Sequence, residues 1–327
     1  MTIDIGALSK LYIGLEATAG TAVAATDILP LKEPSGLQDK HEPIPVMTGL
    51  GNRGIDKDSV QGKRWTEGPI ETYLDIHNSA YLMKLGLGNE VVTNVGGAAY
   101  DHNFYPTISG NTPKSATFYH VRGNSTDLER IDFGIVQSLD INFEDAEATM
   151  SATLMGKFPQ DGAAEPALTV TSGTIFSFRD ATLKFGTDLS DAGGNSATPV
   201  NTFNLTIEND TERIHRSNEG DVSSYRTKGF KVTGSYEVFF TDTSERNKFR
   251  ALTKKAMLVQ FDGIAIDGSF DERVQLRIAK LRLDESEVSG GLEDFLVVAG
   301  QFTAEEDTTQ NPNKFDAVWR NAKTDVY

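Results

Sequence analysis

Two alternating apolar runs, far apart in the chain, carry the same punctuation. Residues 65–75 read WTEGPIETYLD and residues 229–240 read GFKVTGSYEVFF. Gly68 precedes Ile70, Thr72 and Leu74 on one side of the first run, and Gly234 precedes Tyr236, Val238 and Phe240 in the second. The opposite sets open on Glu71 and Glu237. Period-2 alternation of this kind predicts a strand with one buried face. A short helical pattern follows each run. In NSAYLMKLGLG, Asn78 or Ser79 can cap, Tyr81, Leu82 and Leu85 share a face, and Gly86 or Gly88 can end the helix. In DTSERNKFRALTKK, Asp242 and Glu245 have capping-box spacing, Phe249 and Leu252 supply the apolar face, and Lys254 and Lys255 suit the negative end of the dipole.

The parallel continues downstream. TFYHV (117–121) and LVQF (258–261) predict short strands, each followed by a Gly. Glu129-Arg130-Ile131 then matches Glu272-Arg273-Val274. The alternating set Leu139, Ile141, Phe143 matches Ala279, Leu281, Leu283, with Asp140, Asn142 and Glu144 on the other side of the first. After an acidic turn, the last strands end in GKF (156–158) and GQF (300–302). Six matches in one order predict an internal duplication. The first copy alone carries a Gly-rich insertion, loop-like, near Val91 to Lys114.

This pattern divides the chain into a first unit over 1–158, a linker over 159–173 with Pro159 and Pro166, a second unit over 174–303, and a C-terminal tail over 304–327. Residues 34–63 have turn residues and little periodicity, and are expected to form a long protruding loop. Its shorter counterpart is 209–229, after a strand at Phe203 to Ile207. The tail begins polar and ends with Phe315, Val318 and Trp319 at helical spacing.

The length of 327 residues suits two modest cores, and thirty Gly with short β-branched runs favour strands over long helices. A net charge of −16 disfavours condensation on DNA, which needs Lys and Arg to displace counterions. Without Cys there is neither a disulfide framework nor a thiolate metal site. The N-terminus lacks the pattern of a signal peptide, and no apolar run reaches membrane-spanning length, so a soluble, non-secreted protein is expected.

Candidate chemistry is sparse. His41, His77, His102, His120 and His215 form no HExxH or metal-spaced pair. The segment DGIAIDGSFDE (262–272) lacks the ligand spacing of a calcium loop and reads as two turns. The glycines at 94–97 and 289–295 do not lead from a strand into a helix, so they make no phosphate cradle. No nucleophile elbow or Lys-bearing P-loop is present. No catalytic residue, metal or cofactor is expected. Trp65, at the base of the 34–63 segment, can serve either a core or an interface.

The stretch FNLTIENDTERI, followed by a polar loop with NEG and SSY and then KGFKVTGSYEVFF, resembles the tail tube proteins (major tail proteins) of tailed bacteriophages, especially long-tailed siphophages. The opening YIGLEATAGTAVAATDILPL, with Gly14, Glu16, Gly20 and Thr21, is similar to the start of that family. The resemblance implies a mainly β fold: two tandem β-sandwich or split-barrel units, each with a short α-helix, whose inner sheets join into a ring barrel. It implies a virion protein assembled in the bacterial cytoplasm, whose rings stack into the hollow tail. DNA passes through without specific binding, no membrane is involved, and a tape measure protein and tail terminator are partners. Another ring protein of the virion, such as a terminator or neck protein, and a β-sandwich adhesin are the alternatives.

If a ring takes six tube units, a duplicated chain supplies them as a trimer, with a hexamer of whole chains as the alternative. Glu71, Asp140, Asn142, Glu144 and Glu237 are then candidates to face the lumen. Arg53, Asp56, Lys57 and Trp65 of the long segment are candidates for contacts between rings. Phe315 and Trp319 of the tail are candidates for packing within a ring.

Overall fold

The computed structural model describes residues 6–47, 56–107, 110–123, 127–144, 146–161, 164–240, 247, 250–289, 296–307 and 313–327, without the side chains of 56, 57 and 127. The chain is mainly β. Its strands are β1 (Lys10–Leu15), β2 (Asp27–Leu29), β3 (Gln38–Met47), β4 (Asp56–Tyr73), β5 (Gly88–Gly96), β6 (Ala99–Pro106), β7 (Ala116–Arg122), β8 (Asp127–Glu144), β9 (Thr149–Gly156) and β10 (Gln160–Asp161). They continue with β11 (Ala181–Gly186), β12 (Val200–Ile214), β13 (Ser224–Phe239), β14 (Lys255–Asp267), β15 (Phe270–Ser289), β16 (Val297–Ala304) and β17 (Asp316–Asn321). Helix α1 spans Ser79–Leu87, and a short α2, which the sequence pattern did not predict, spans Leu189–Gly194.

All the pairings are antiparallel, and they fall into two matching sets. In the first half, β3 pairs β4, β4 pairs β9, β9 pairs β8, β8 pairs β7 and β7 pairs β1. In the second half, β12 pairs β13, β13 pairs β16, β16 pairs β15, β15 pairs β14 and β14 pairs β11. Three of the irregularities match as well. A bulge at His41/Pro43 has its counterpart at Asn209/Thr211, one at Ala116/Phe118 at Lys255/Met257, and one at Val136/Ser138 at Leu283/Glu285. A bulge sets the local register and bend of a strand. Three of them on equivalent strands therefore align the halves residue by residue.

That alignment keeps Gly68 with Gly234 and Glu71 with Glu237. It corrects several of the sequence matches. Ser138 pairs Thr153 and Glu285 pairs Gln301 past equivalent bulges, so Leu139 and Ile141 correspond to Ser286 and Val288 and not to Ala279 and Leu281. Gly68 pairs Leu154 and Gly234 pairs Phe302, so Phe302 corresponds to Leu154 and not to Phe158. Past the equivalent bulges Ile131 pairs Phe118 and Ile278 pairs Met257, so Arg130 corresponds to Arg277 and not to Arg273. Short tripeptides such as GKF carry too little pattern to set register. Both punctuating glycines have one reason. A Cβ on Gly68 would lie 2.1 Å from Gly36 O, and one on Gly234 would lie 2.4 Å from Asn204 O, at equivalent points of the neighbouring segment.

In each half the long strand turns between two layers. β8 pairs β7 over its first part and β9 over its second; β15 changes from β14 to β16 in the same way. Apolar side chains fill the space between layers. One buried cluster runs from Leu11, Ile13 and Phe118 through Ile70, Leu139 and Met150 to Leu205, Val259 and Phe302. It is continuous between the halves because β8 pairs β12 directly. At that junction Phe143 stacks on Phe203 at 5.1 Å, and Phe203 stacks on Phe302 at 6.4 Å.

Several sequence expectations fail here, among them the 209–229 loop, most of which belongs to β12 and β13. The described part of the 34–63 segment is not a loop: β3 and β4 pair as antiparallel strands from Gln38↔Glu67 to Met47↔Asp56, and 48–55 lie outside the described residues. Pro43, Pro45 and Gly62 hid its strands from a periodicity reading. The segment from Val91 to Lys114 is largely the β5–β6 hairpin. The tail is not helical: β17 lies between β6 and β15, with Trp319 opposite both His102 and Val274. The 262–272 segment is β14 turning into β15. Most of the second predicted helix lies outside the described residues. Its last part departs from the expectation: Leu252 is exposed, and Lys255 is buried at the start of β14, donating to Tyr236 Oη at 3.0 Å.

The first predicted helix forms. Gly88, at φ 95°, ends α1 with its N–H on Lys84 O. Its N-terminus is held by Asp75, not by a cap from Asn78 or Ser79. Asp75 accepts from Ser79 N at 2.7 Å and from Asn78 Nδ2 at 2.6 Å.

Candidate functional site

Eight strands form one continuous sheet in the order β3-β4-β9-β8-β12-β13-β16-β15, the first four from one half and the last four from the other. One face lies on the core: Ile70, Leu139, Ile141, Phe143, Leu205 and Tyr236 are buried. Alternation puts the neighbouring residues on the opposite face. Cross-strand pairs share a face, so its rows can be followed by register. One row runs Glu71, Ser151, Asp140, Thr206. A second runs Thr149, Asn142, Asn204, Ser235, Gln301, Glu285. A third runs Glu144, Thr202, Glu237, Ala299, Glu287. All five residues singled out as lumen candidates thus lie on one polar face of one sheet.

The face is acidic and well bonded. Asp140 accepts from Thr206 Oγ1, Asn201 Nδ2 donates to Glu237 at 2.6 Å, and Gln301 Nε2 donates to Glu285 at 2.8 Å. Lys32 lies 3.1 Å from Glu147, whose bond is the main cause holding its ammonium above the usual lysine range, and 3.3 Å from Glu71, which adds to it. Lys40, Lys231 and Arg282 share the face, placed by their partners Trp65, Glu208 and Thr303.

The other candidates divide. Trp65 is half-buried and engaged within the chain: the Arg213 guanidinium lies 4.5 Å from its ring centroid, and its Nε1 donates to Glu67 at 3.0 Å. Burial pushes the Glu67 carboxyl up, but hydrogen bonds from Arg213 and Trp65 outweigh this and hold it below the usual range. Arg64 N donates to Gly220 O at 2.9 Å, so the two long hairpins touch beside this cluster. Arg53 and the side chains of Asp56 and Lys57 lie outside the described residues. Phe315 and Trp319 are not available to a neighbour. Both are fully buried, and Trp319 Nε1 donates to Asp75 O and Ser79 Oγ, each at 3.1 Å. Trp319 within a six-residue strand between two others, and Phe315 just before it, are hidden completely, where a spacing of three and four residues had suggested a helix face.

The opening segment has a physical role that sequence could not supply. Glu16 is 1% exposed. Its Oε2 accepts from Gly20 N at 2.6 Å and Ser115 Oγ at 2.7 Å; its Oε1 accepts from Thr117 Oγ1 at 3.0 Å and Phe133 N at 2.9 Å. Gly20 has φ 78° and Phe133 has φ 54°. The carboxylate therefore fastens two left-handed backbone positions, Gly20 between β1 and β2 and Phe133 within β8.

The family model for phage tail tube proteins matches residues 6–311. The chain belongs to that family. The family is structural and not enzymatic, and its members are components of the virion tail. A search of curated proteins finds no match. Among the described residues, no group of His, Asp and Glu is placed to hold a metal ion, and no helix is long and apolar enough to cross a membrane.

Proposed function

We propose that the chain is the repeating subunit of a tail tube, that its rings stack into a hollow cylinder, and that DNA leaves the head through the lumen. The observation that carries this reading is the eight-stranded sheet with a bonded, acid-rich polar face turned away from the core. Lining a lumen with that face would present Glu71, Asp140, Glu144 and Glu237 to DNA. Fixed carboxylates repel phosphates over about 8 Å at physiological salt, so the passing duplex would not adhere.

Family membership and the matched bulges support a further step: the chain is an internal duplication, with two tube units over about 1–158 and 174–303. Three chains would then supply six units, giving a trimer of pseudo-sixfold symmetry. The β3–β4 hairpin is the favoured contact between rings. Its outer part shows the cross-strand pair Ile44 and Val60 and the nearby Met47, all exposed, a patch of the kind that marks an interaction surface.

Electron microscopy of concentrated purified protein tests the tube: stacked rings support it, and uniform monomers would remove it. Native mass measurement on released rings tests the symmetry, with three chains expected and six sinking the trimer.

A further inference from the structure

The eight-stranded sheet ends on two open edges, one in each half. Among the described residues, β3 pairs only with β4, and residues 285–289 of β15 pair only with β16. The chain itself shows what such edges do when they meet. In the matched alignment β12 is the counterpart of β3, and the end of β8 is the counterpart of the end of β15. Within the chain these counterparts are hydrogen-bonded partners: Asn204↔Asn142, Leu205↔Ile141, Thr206↔Asp140, Ile207↔Leu139 and Glu208↔Ser138.

We propose that β3 of one copy adds to the end of β15 of a second copy, in the register of the internal β12–β8 junction. Carrying each pair over gives Gly36 opposite Ser289, Leu37 opposite Val288, Gln38 opposite Glu287, Asp39 opposite Ser286, and Lys40 opposite Glu285. This lateral contact deepens the tube reading and rests on it, since it is the contact that would join subunits around a ring.

Three observations support the pairing. The first is backbone direction. Gly36 N donates to Pro69 O at 2.8 Å, so alternation turns the backbone groups of Leu37 and Asp39 away from β4 and toward the open edge. One guanidinium nitrogen of Arg122 reaches Leu37 O, but at 3.4 Å, a long contact that an incoming strand can replace. The second is framing. Pro34 precedes the open stretch, and Pro43 and Pro45 interrupt the outer part of β3. Proline removes ladder donors and blunts an edge. The stretch left free between them is the one whose counterpart, β12, is paired. The third is chemistry. Leu37 is buried and Val288 packs against the same core, as Leu205 and Ile141 do at the internal junction. On the polar face Lys40 meets Glu285, which favours this register over shifted ones.

Because the chain has no Cys, engineered pairs report only the intended contact. Gln38 and Glu287 are exposed, and their pair is of the non-hydrogen-bonded type, with Cα atoms about 4.5 Å apart, within disulfide reach. Oxidising assembled tubes of the variant carrying Gln38→Cys and Glu287→Cys should give linked chains on a non-reducing denaturing gel, which neither single variant gives. The shifted pair Gln38→Cys with Glu285→Cys places diagonal partners about 7–8 Å apart and should link at least about tenfold less. Independently, Lys40→Glu or Glu285→Lys alone should slow assembly, and the two together should restore it. Normal tubes with no links from the first pair, links of equal yield from the shifted pair, or a charge exchange that fails to restore assembly would each overturn the register while leaving the tube reading intact. Failure of the unmodified protein to form rings or tubes would remove both.

Discussion

Glu16 and Glu90 show two ways in which a carboxylate organises this chain. Glu16 accepts four hydrogen bonds from Gly20, Ser115, Thr117 and Phe133. In Glu16→Gln one acceptor oxygen becomes an amide that points donors at donors. A loss of about 2–4 kcal/mol is expected, because a buried donor left unpaired costs more than a hydrogen bond yields. Urea unfolding checks it. Glu90, in β5, receives Lys84 Nζ at 3.0 Å, lies 2.8 Å from His102 Nδ1 and accepts from Tyr327 N at 3.0 Å. Burial pushes its carboxyl up, yet the bonds from His102 and Lys84 outweigh burial and hold it below its ordinary 4.5. A folded-state value below the unfolded one adds stability that is present above the unfolded value and lost as pH falls through the folded value. Glu90→Gln should therefore destabilise at neutral pH and flatten the acid limb of stability below pH about 4.5, read from unfolding midpoints across that range.

At the scale of elements, strand β17 ties the C-terminus of the chain to its first half. It bridges β6 and β15, and Trp319 meets Phe104 edge-on at 5.6 Å. Trp319→Ala should cost about 3–5 kcal/mol through cavity and lost transfer energy, measured by chemical unfolding. A tail that merely decorated the surface would lose far less. The β3–β4 hairpin makes the opposite expectation. Replacing residues 42–60 by a short turn leaves Gly36 to Lys40 intact and removes the exposed Ile44, Met47 and Val60. The variant should stay folded and form single rings that no longer stack, as seen by electron microscopy. Alternating runs such as 70–74 and 139–143 were legible as strands because each has one wet face. β3 and β17 were not: β3 carries prolines in an exposed arm, and β17 is buried on nearly every residue, so neither alternates.

At the scale of the whole molecule, the acids of the eight-stranded face act together, and single substitutions would be masked by their neighbours. Virions carrying Glu71→Lys with Glu237→Lys should assemble tubes but release DNA several-fold more slowly at low salt, with the difference shrinking as salt screens the new ammonium groups. Unchanged release kinetics at all salt concentrations would place this face elsewhere than the lumen.

The sequence alone determined the β class, the first helix, the matching punctuation of Gly68 with Gly234 and of Glu71 with Glu237, and the polar set Glu71, Asp140, Asn142, Glu144 and Glu237. These follow from local alternation and spacing, which one strand or helix carries by itself. Only the tertiary structure decided that those five residues share one continuous sheet, because the β8–β12 junction joins strands far apart in the chain. It also decided that Trp319 is core and that Glu16 is a buried clasp. Which edge meets which, and in what register, depends on long-range pairing and on bulges at His41/Pro43 and Asn209/Thr211. A one-residue slip there reverses every side chain without altering the local pattern of either strand.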